Sequence, residues 1–507
     1  MHRHTVTLAF VFGSACGLTN VRADVKLPAI FSDHMVVQAN VTVPVWGWAD
    51  SGEGVTVTIG KQSKTARAGA DGKWTLKLDK MSSTSDPQTM TVKGKNSLTI
   101  NDVLIGEVWL ASGQSNMAFT VASVKNAQSE IAAANHPTLR MFKVASNPQR
   151  APQYECTGRW DVCTPQSVNG FSAVAYFFGR ELNQKLNVPV GMINSSVGGT
   201  DIAAWTSEDV QTPIAALKAG FDAWKAKDVA YTPEGAKAAY EKQLAAWTVS
   251  AEKAKAEGKP TPRKPTLQVQ PRTDRNHPAN LFNGMIAPLI PYAIHGAIWY
   301  QGEHNTGSEA AAKLYYTQLP LMVNDWRSRW GYDFPFAWVQ LPNLDGATHR
   351  PIVRDAMLQS LKLKHTGMAV TTDVGEAKDN HPKNKQDVGL RLAMWALGDV
   401  YGKKVATSGP LPNGTDFSGG NVVVRFKHTD GGLVSKGGDA LKGFVIAGDD
   451  GEWKPAQAKI DGDTVVVSNS EVKKPVAVRY AWTGNPDGNL FNGAGLPASP
   501  FKTDCQD

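Results

Sequence analysis

The chain has 507 residues, 42% hydrophobic and 20% charged. That is too long for one ordinary core and predicts two to four domains. The formal charge of +7 is a mild excess, and the lysines cluster in polar stretches with no arginine-rich stripe among aromatics, which argues against nucleic-acid binding.

The first residues read as an export signal. His2, Arg3 and His4 form a weakly basic start, Thr5 to Leu18 is mostly apolar, and Val21-Arg22-Ala23 fits a small-x-small cleavage site. Cleavage there makes residues 1–23 a signal peptide and Asp24 the mature start; the other reading is an uncleaved anchor. Removing Arg3 and Arg22, with no acidic residue beside them, lowers the charge from +7 to +5. No later segment has the 18 or so apolar residues of a membrane span. Stable membrane insertion is therefore not expected, and the localisation is periplasmic or secreted. In that compartment Cys156 and Cys163, which flank Gly158, are candidates for a small disulfide. No cluster has zinc-ligand spacing, so no metal is expected.

Residues 24–100 predict an N-terminal β-sandwich region. Val41 to Trp48 and Val55 to Ile59 alternate, and the Asp71-Gly72 turn precedes Trp74 to Leu78. Residues 101–400 then change to α/β grammar. The apolar run Val108-Trp109-Leu110-Ala111 is a buried strand leading to Ser115. Phe171 to Leu186 has helical spacing, and Val190 to Ile193 is a strand ending in the loop Gly198-Gly199-Thr200. About 207–270, Ala, Lys and Glu dominate; one or two exposed helices are expected there, followed by the proline-containing linker Lys259 to Lys264. The α/β pattern resumes with Ile294 to Tyr300 as a strand, Glu309 to Trp330 as a helix kinked or broken at Pro320, and Lys385 to Gly398 as a helix. Residues 401–507 return to strands and predict a C-terminal β region. Polar residues recur after successive strand ends, where open α/β sheets place their sites.

Ser115 ends a buried strand on a glycine-flanked turn, a placement suited to a nucleophile, although the local sequence is not the Gly-x-Ser-x-Gly elbow. A serine hydroxyl needs a base, and the imidazole of His381 can serve as one. The block Gly113-Gln114-Ser115-Asn116-Met117 resembles the nucleophile block of the sialate O-acetylesterase family, among the SGNH-type carbohydrate esterases. Trp299-Tyr300-Gln301-Gly302-Glu303 with Asn305, Asp379-Asn380-His381-Pro382 with Lys385, and Gly198-Gly199-Thr200 with Trp205 resemble three further blocks. Phe31 to Met35 and Asn489 to Asn492 extend the likeness to the flanking regions.

The resemblance implies an SGNH/flavodoxin-like three-layer parallel-sheet hydrolase core with flanking all-β sandwich regions, and a serine esterase working without cofactors. Its substrate is an O-acetylated sugar or glycan: sialic acid, or acetylated xylan as the alternative. A catalytically inactive carbohydrate-binding protein is a second alternative. Ser115, His381 and Asp379 are the catalytic candidates. Asp379, only two residues before His381, is closer than related enzymes space this pair, so Glu303, Glu376 or a serine–histidine dyad remain open. The backbone N–H groups of Ser115 and Gly199 and the amide of Gln301 are the oxyanion candidates. Asn116, Glu303 and Asn305 are supporting candidates; Gln301 and Glu303 have loop bracing as their other reading. Trp205, Arg350 and His304 are substrate-binding candidates, with core packing the alternative for Trp205. Arg354 reads either as a carboxylate binder or as a surface pair with Asp355. His304 stands where the family usually has a small polar residue.

Overall fold

The computed structural model describes residues 24–504. The export-signal reading of residues 1–23 lies outside the described residues.

Six parallel strands form the centre. Their order across the sheet is Thr366–Ala369, Phe336–Val339, Gly296–Tyr300, Ser97–Gly113, Val190–Ser196 and His136–Lys143, with Trp160–Cys163 added antiparallel at the edge. Within the parallel sheet the central strands are buried almost throughout, Ser97–Gly113 from Val103 onward, which is why these stretches are continuous apolar runs rather than alternating ones. Pleat parity puts Trp109 and Trp299 on opposite faces, because Trp109 pairs with Gly296 and Trp299 with Ser112. Trp109 packs on Phe178 and Trp395, from the helices Ala173–Leu186 and Lys385–Trp395. Trp299 packs on Trp326 of the helix Glu309–Trp330, which lies against Arg350–Ser360. The sheet is thus covered by a helix pair on each face.

Local chemistry sets the element ends. Ser172 caps Ala173–Leu186 by accepting the Ala175 N–H at 3.2 Å, and Asn187 closes it with φ 54°. The helix Glu309–Trp330 runs on past Pro320 instead of breaking. Leu319, Met322, Val323 and Trp326 are all fully buried around the proline, and that packing holds the two halves in one element despite the missing N–H.

Ser97–Gly113 is long enough to serve two sheets. Its first half pairs antiparallel with Thr84–Lys93 and parallel with Val36–Gln38, while its second half is the central parallel strand. The change of grammar expected at residue 100 therefore falls inside one continuous strand. Val43–Trp48 and Lys73–Leu78 pair separately and bury alternate residues. At the other end of the chain, two four-stranded antiparallel sheets enclose their own core, which includes Val422, Val424, Ile446, Val465, Val478 and Phe501. Arg354 joins this region to the parallel core. It is fully buried and donates to the carbonyls of Leu341, Pro342, Thr483 and Gly484. Neither sequence reading of Arg354, carboxylate binder or surface pair, survives this burial, which pushes its pKa down to about 9.

After the short helix Glu208–Gln211, the stretch 207–270 holds two longer helices, Ala215–Ala230 and Pro233–Ala256, on which only Leu217, Ala236 and Ala254 are buried. The expected Cys156–Cys163 disulfide is absent; both cysteines are free and buried. Cys163 pairs with His136 at the start of one strand, whereas Thr157, next to Cys156, meets Ala145 beyond that strand's end. The extended chain between them spans roughly 20 Å at about 3.3 Å per residue, far more than a disulfide bridges. Burial pushes both thiols up to about 12.

Candidate active site

Ser97–Gly113 is the first strand of the parallel sheet, and the chain builds outward from it in both directions. Its C-terminal end is therefore a topological switch point, where neighbouring loops diverge and leave a crevice. Gly113 makes the turn there with φ 139°; a Cβ on it would fall 2.1 Å from the Tyr300 carbonyl oxygen, so only glycine fits. Gln114 donates its N–H to that oxygen at 2.9 Å. Ser115 then begins the short helix Ser115–Ala118.

The loop before Lys385–Trp395 brings His381 to the same place. Its Nε2 lies 2.8 Å from the Ser115 Oγ, across 266 positions of sequence. The ring lies near-parallel to Phe119, at a tilt of 16° and a centroid distance of 6.4 Å. Asp379 is close to the ring but not hydrogen-bonded to it. Its Oδ1 accepts the backbone N–H of His381 at 2.8 Å and stands 3.9 Å from the ring Nδ1. The short sequence spacing explains this, because the carboxylate turns back onto the nearer main-chain donor.

Ser115 and His381 open into a cleft of about 400 Å³, lined also by Gln114, Gly198, Gly199, Glu303, His304, Asn380, Arg263 and Arg275. Gly198 crosses directly over the serine; a Cβ there would lie 3.3 Å from that of Ser115. The N–H of Ser115, at the first helical position, has no acceptor within its own helix.

A buried polar network supports this pair from behind. Asn116 donates to Glu303 Oε1 at 2.5 Å and to the Asn380 carbonyl at 2.9 Å, and it accepts from Lys385 Nζ at 2.6 Å. Lys385 is fully buried against the rings of Phe119 and Tyr300. Burial pushes its pKa down to about 7, only partly offset by the charges of Glu303, Asp379 and Glu376.

Three sequence candidates do other work. Gln301 is fully buried, and its amide N–H groups go to the Thr200 carbonyl and Asn305 Oδ1 at 2.9 and 2.7 Å. It braces the loop and has no N–H left for an oxyanion. Arg350 is buried and donates to the Pro342 carbonyl and the Asn380 side chain, so it steadies the residue before His381 rather than meeting substrate. Trp205 is a core residue, packed on Trp299 and donating to Thr200 Oγ1. Asn305 joins Gln301 to Asp201 and Gln318. His304 does reach the cleft. Arg263 and Arg275 went unnoticed in the sequence because they sit in the exposed, low-complexity stretch and just after it.

The family model for carbohydrate esterases described as sialic acid-specific acetylesterase matches residues 105–225 and 278–397. The crystal structure of a carbohydrate acetylesterase from Xanthomonas citri is 34% identical, covers 95% of this chain and 100% of its own, and superposes with a TM-score of 0.80. The chain belongs to the sialate O-acetylesterase family. Sialate O-acetylesterases of Mus musculus and Homo sapiens are 28% and 27% identical, each match covering 94% of this chain and 94% and 92% of theirs. A member of this esterase family, the protein is a carboxylic ester hydrolase. The family match omits 226–277, which covers most of the two exposed helices and both cleft arginines.

Proposed function

We propose that this protein removes O-acetyl groups from sialic acid or related acetylated sugars through an acetyl-enzyme intermediate on Ser115. The single observation that carries the reading is the 2.8 Å contact between Ser115 Oγ and His381 Nε2 at an open cleft. His381 takes the hydroxyl proton as Ser115 Oγ bonds to the acetyl carbonyl carbon. The tetrahedral oxyanion is held by the backbone N–H groups of Ser115 and Gly199. As the intermediate collapses, the sugar oxygen leaves with the proton from His381. A water then gives a proton to His381 and attacks the acetyl-serine; collapse releases acetate and returns that proton to Ser115 Oγ. Asp379 lies 3.9 Å from the ring and assists as a nearby charge. The work is done in an SGNH-type core, residues 101–400, carrying the helical insertion between β regions at 24–100 and 401–507. The protein is exported after loss of residues 1–23.

The test is acetate release from 9-O-acetyl sialic acid, acetyl-xylose oligomers and acetylated pectin fragments, by the parent and by Ser115→Ala. The expected result is release by the parent, near-complete loss in the variant, and an acetylated Ser115 peptide after rapid acid quench. Equal release by parent and variant sinks the nucleophile assignment. Preference for xylose oligomers sinks the sialic-acid assignment and keeps the esterase.

A further inference from the structure

Two arginines, Arg263 and Arg275, line the cleft, and among the described residues neither is shown with a carboxylate partner. Both come from the stretch the family match omits. Each is held in place by its neighbours. The Trp247 indole N–H donates to the Pro262 carbonyl at 2.8 Å, and Lys264 sits over the same indole ring. Arg263 lies between these two anchored residues, so the long helix Pro233–Ala256 sets its position. On the other side, Asn276 donates to the Gly199 carbonyl at 2.9 Å and accepts the Asp201 N–H at 2.9 Å. That fixes its neighbour Arg275 beside the glycine loop, with Nη2 3.8 Å from where a Gly199 Cβ would stand. The cleft's own acid, Glu303, is already engaged through Oε1 by Asn116.

An unpaired guanidinium offers a planar fork of donors matched to a carboxylate. We propose that Arg263 and Arg275 form a carboxylate-binding subsite, contributed by this stretch, that selects acetylated sugars bearing an acid group. The inference rests on the deacetylation proposed above and adds which sugars are preferred. A sialic acid and a uronic acid share the chemistry.

The experiment compares kcat/KM for 9-O-acetyl sialic acid with that for its methyl ester, and for acetylated galacturonate oligomers with their methyl esters. Acetyl-xylose oligomers serve as a third, neutral arm. The parent is expected to favour the free acid at least tenfold, mainly through KM, and the ratio falls as salt is raised because exposed charges are screened. Arg263→Gln or Arg275→Gln each lowers the acid-to-ester ratio about tenfold, the scale of one lost charge-assisted hydrogen bond; Arg263→Lys and Arg275→Lys recover part of it. Whichever acid is favoured names the source. A parent ratio near one, or variant ratios within twofold of the parent, overturns the subsite while deacetylation stands. Absence of acetate from every substrate, the neutral arm included, overturns the deacetylation reading and this inference with it. The salt series on the parent needs no substitution, so a variant that misfolds does not shield the proposal.

Discussion

Of the described histidines that sit beside carboxylates, His295 and His381 lie near opposite ends of the same sheet, and their surroundings differ. His295 precedes the Gly296–Tyr300 strand, and its Nδ1 lies 2.5 Å from Glu107 Oε2. Glu107 also accepts from Gln38 and from Tyr401. Burial alone would raise the Glu107 pKa, but the hydrogen bonds and charge of this cluster, His295 foremost, hold it below the ordinary value. His381, at the C-terminal end, has its carboxylate 3.9 Å away but a serine hydroxyl at 2.8 Å and an open cleft in front. The tighter pair is thus the one with no substrate hydroxyl to act on. Here the close histidine–carboxylate contact belongs to a buried hydrogen-bond cluster, whereas the imidazole that faces a hydroxyl in a cleft is the one proposed above as the base.

Removing one member of each pair should separate these roles most sharply. His381→Ala is expected to cut kcat for acetate release by roughly 10⁴-fold or more, because the serine loses its base, with little change in the urea unfolding midpoint. Glu107→Ala should do the reverse. It leaves a half-buried imidazole and two buried donors without their acceptor, a loss of about 2–3 kcal/mol in unfolding free energy, with kcat nearly intact. The Glu107 contribution is present above its unfolded pKa, near the usual glutamate value, and is lost as pH falls through the lower folded one. If Glu107→Ala lost activity as steeply as His381→Ala at temperatures where it stays folded, the contrast would fail.

A second buried charge sharpens the comparison. Among the described residues the hydrogen-bond acceptor of the Lys385 ammonium is a neutral amide oxygen, that of Asn116, at 2.6 Å. Its pKa, lowered by burial from 10.5 to about 7, means the native state releases a proton that the unfolded chain keeps. Stability should therefore rise with pH between these two values, by about 1.4 kcal/mol per pH unit where one proton separates the states. Below about 7 both states are protonated and the folded protein carries the full burial cost. The difference in unfolding free energy between the parent and Lys385→Met, followed across that window, measures the slope. A flat difference would mean that Glu303 and Asp379 stabilise the ammonium as fully as His295 and its neighbours stabilise Glu107.

How much of this could be read from the sequence depended on whether the determinants were local. Periodicity and apolar runs indicated the parallel strands and the helices, because burial on both sheet faces and helix amphipathicity leave patterns within a dozen residues. The Ser115–His381 contact was legible only because separate motif blocks resemble those of one family; nothing local joins positions so far apart. Side-chain direction was the part that failed. Arg350 and Arg263 are the same residue type, yet one is spent on Asn380 inside the core while the other, in a stretch read as linker, faces the cleft. For Trp205 and Gln301 the sequence leaves core packing and loop bracing open beside sugar stacking and an oxyanion role, and the structure selects the first of each pair, since what a tryptophan or an amide touches is decided by elements distant in sequence. The continuous Ser97–Gly113 strand hid a change of sheet that composition placed near residue 100.

The smallest expected effect concerns Asp379. In a closed triad the carboxylate accepts the ring Nδ1–H, and its conversion to an amide can cost about 10⁴-fold in kcat. Here Oδ1 is taken by the His381 backbone N–H at 2.8 Å, and the ring is 3.9 Å away. Asp379→Asn keeps an oxygen for that backbone bond and removes only the nearby charge, so a fall of about tenfold in kcat is expected, near 1.4 kcal/mol. Asp379→Ala also frees the main-chain donor that shapes the turn before His381, and should cost more than the asparagine. A fall of 10⁴-fold in Asp379→Asn would mean that the carboxylate swings onto Nδ1 when substrate binds. His381 would then need the same close carboxylate contact that His295 already has.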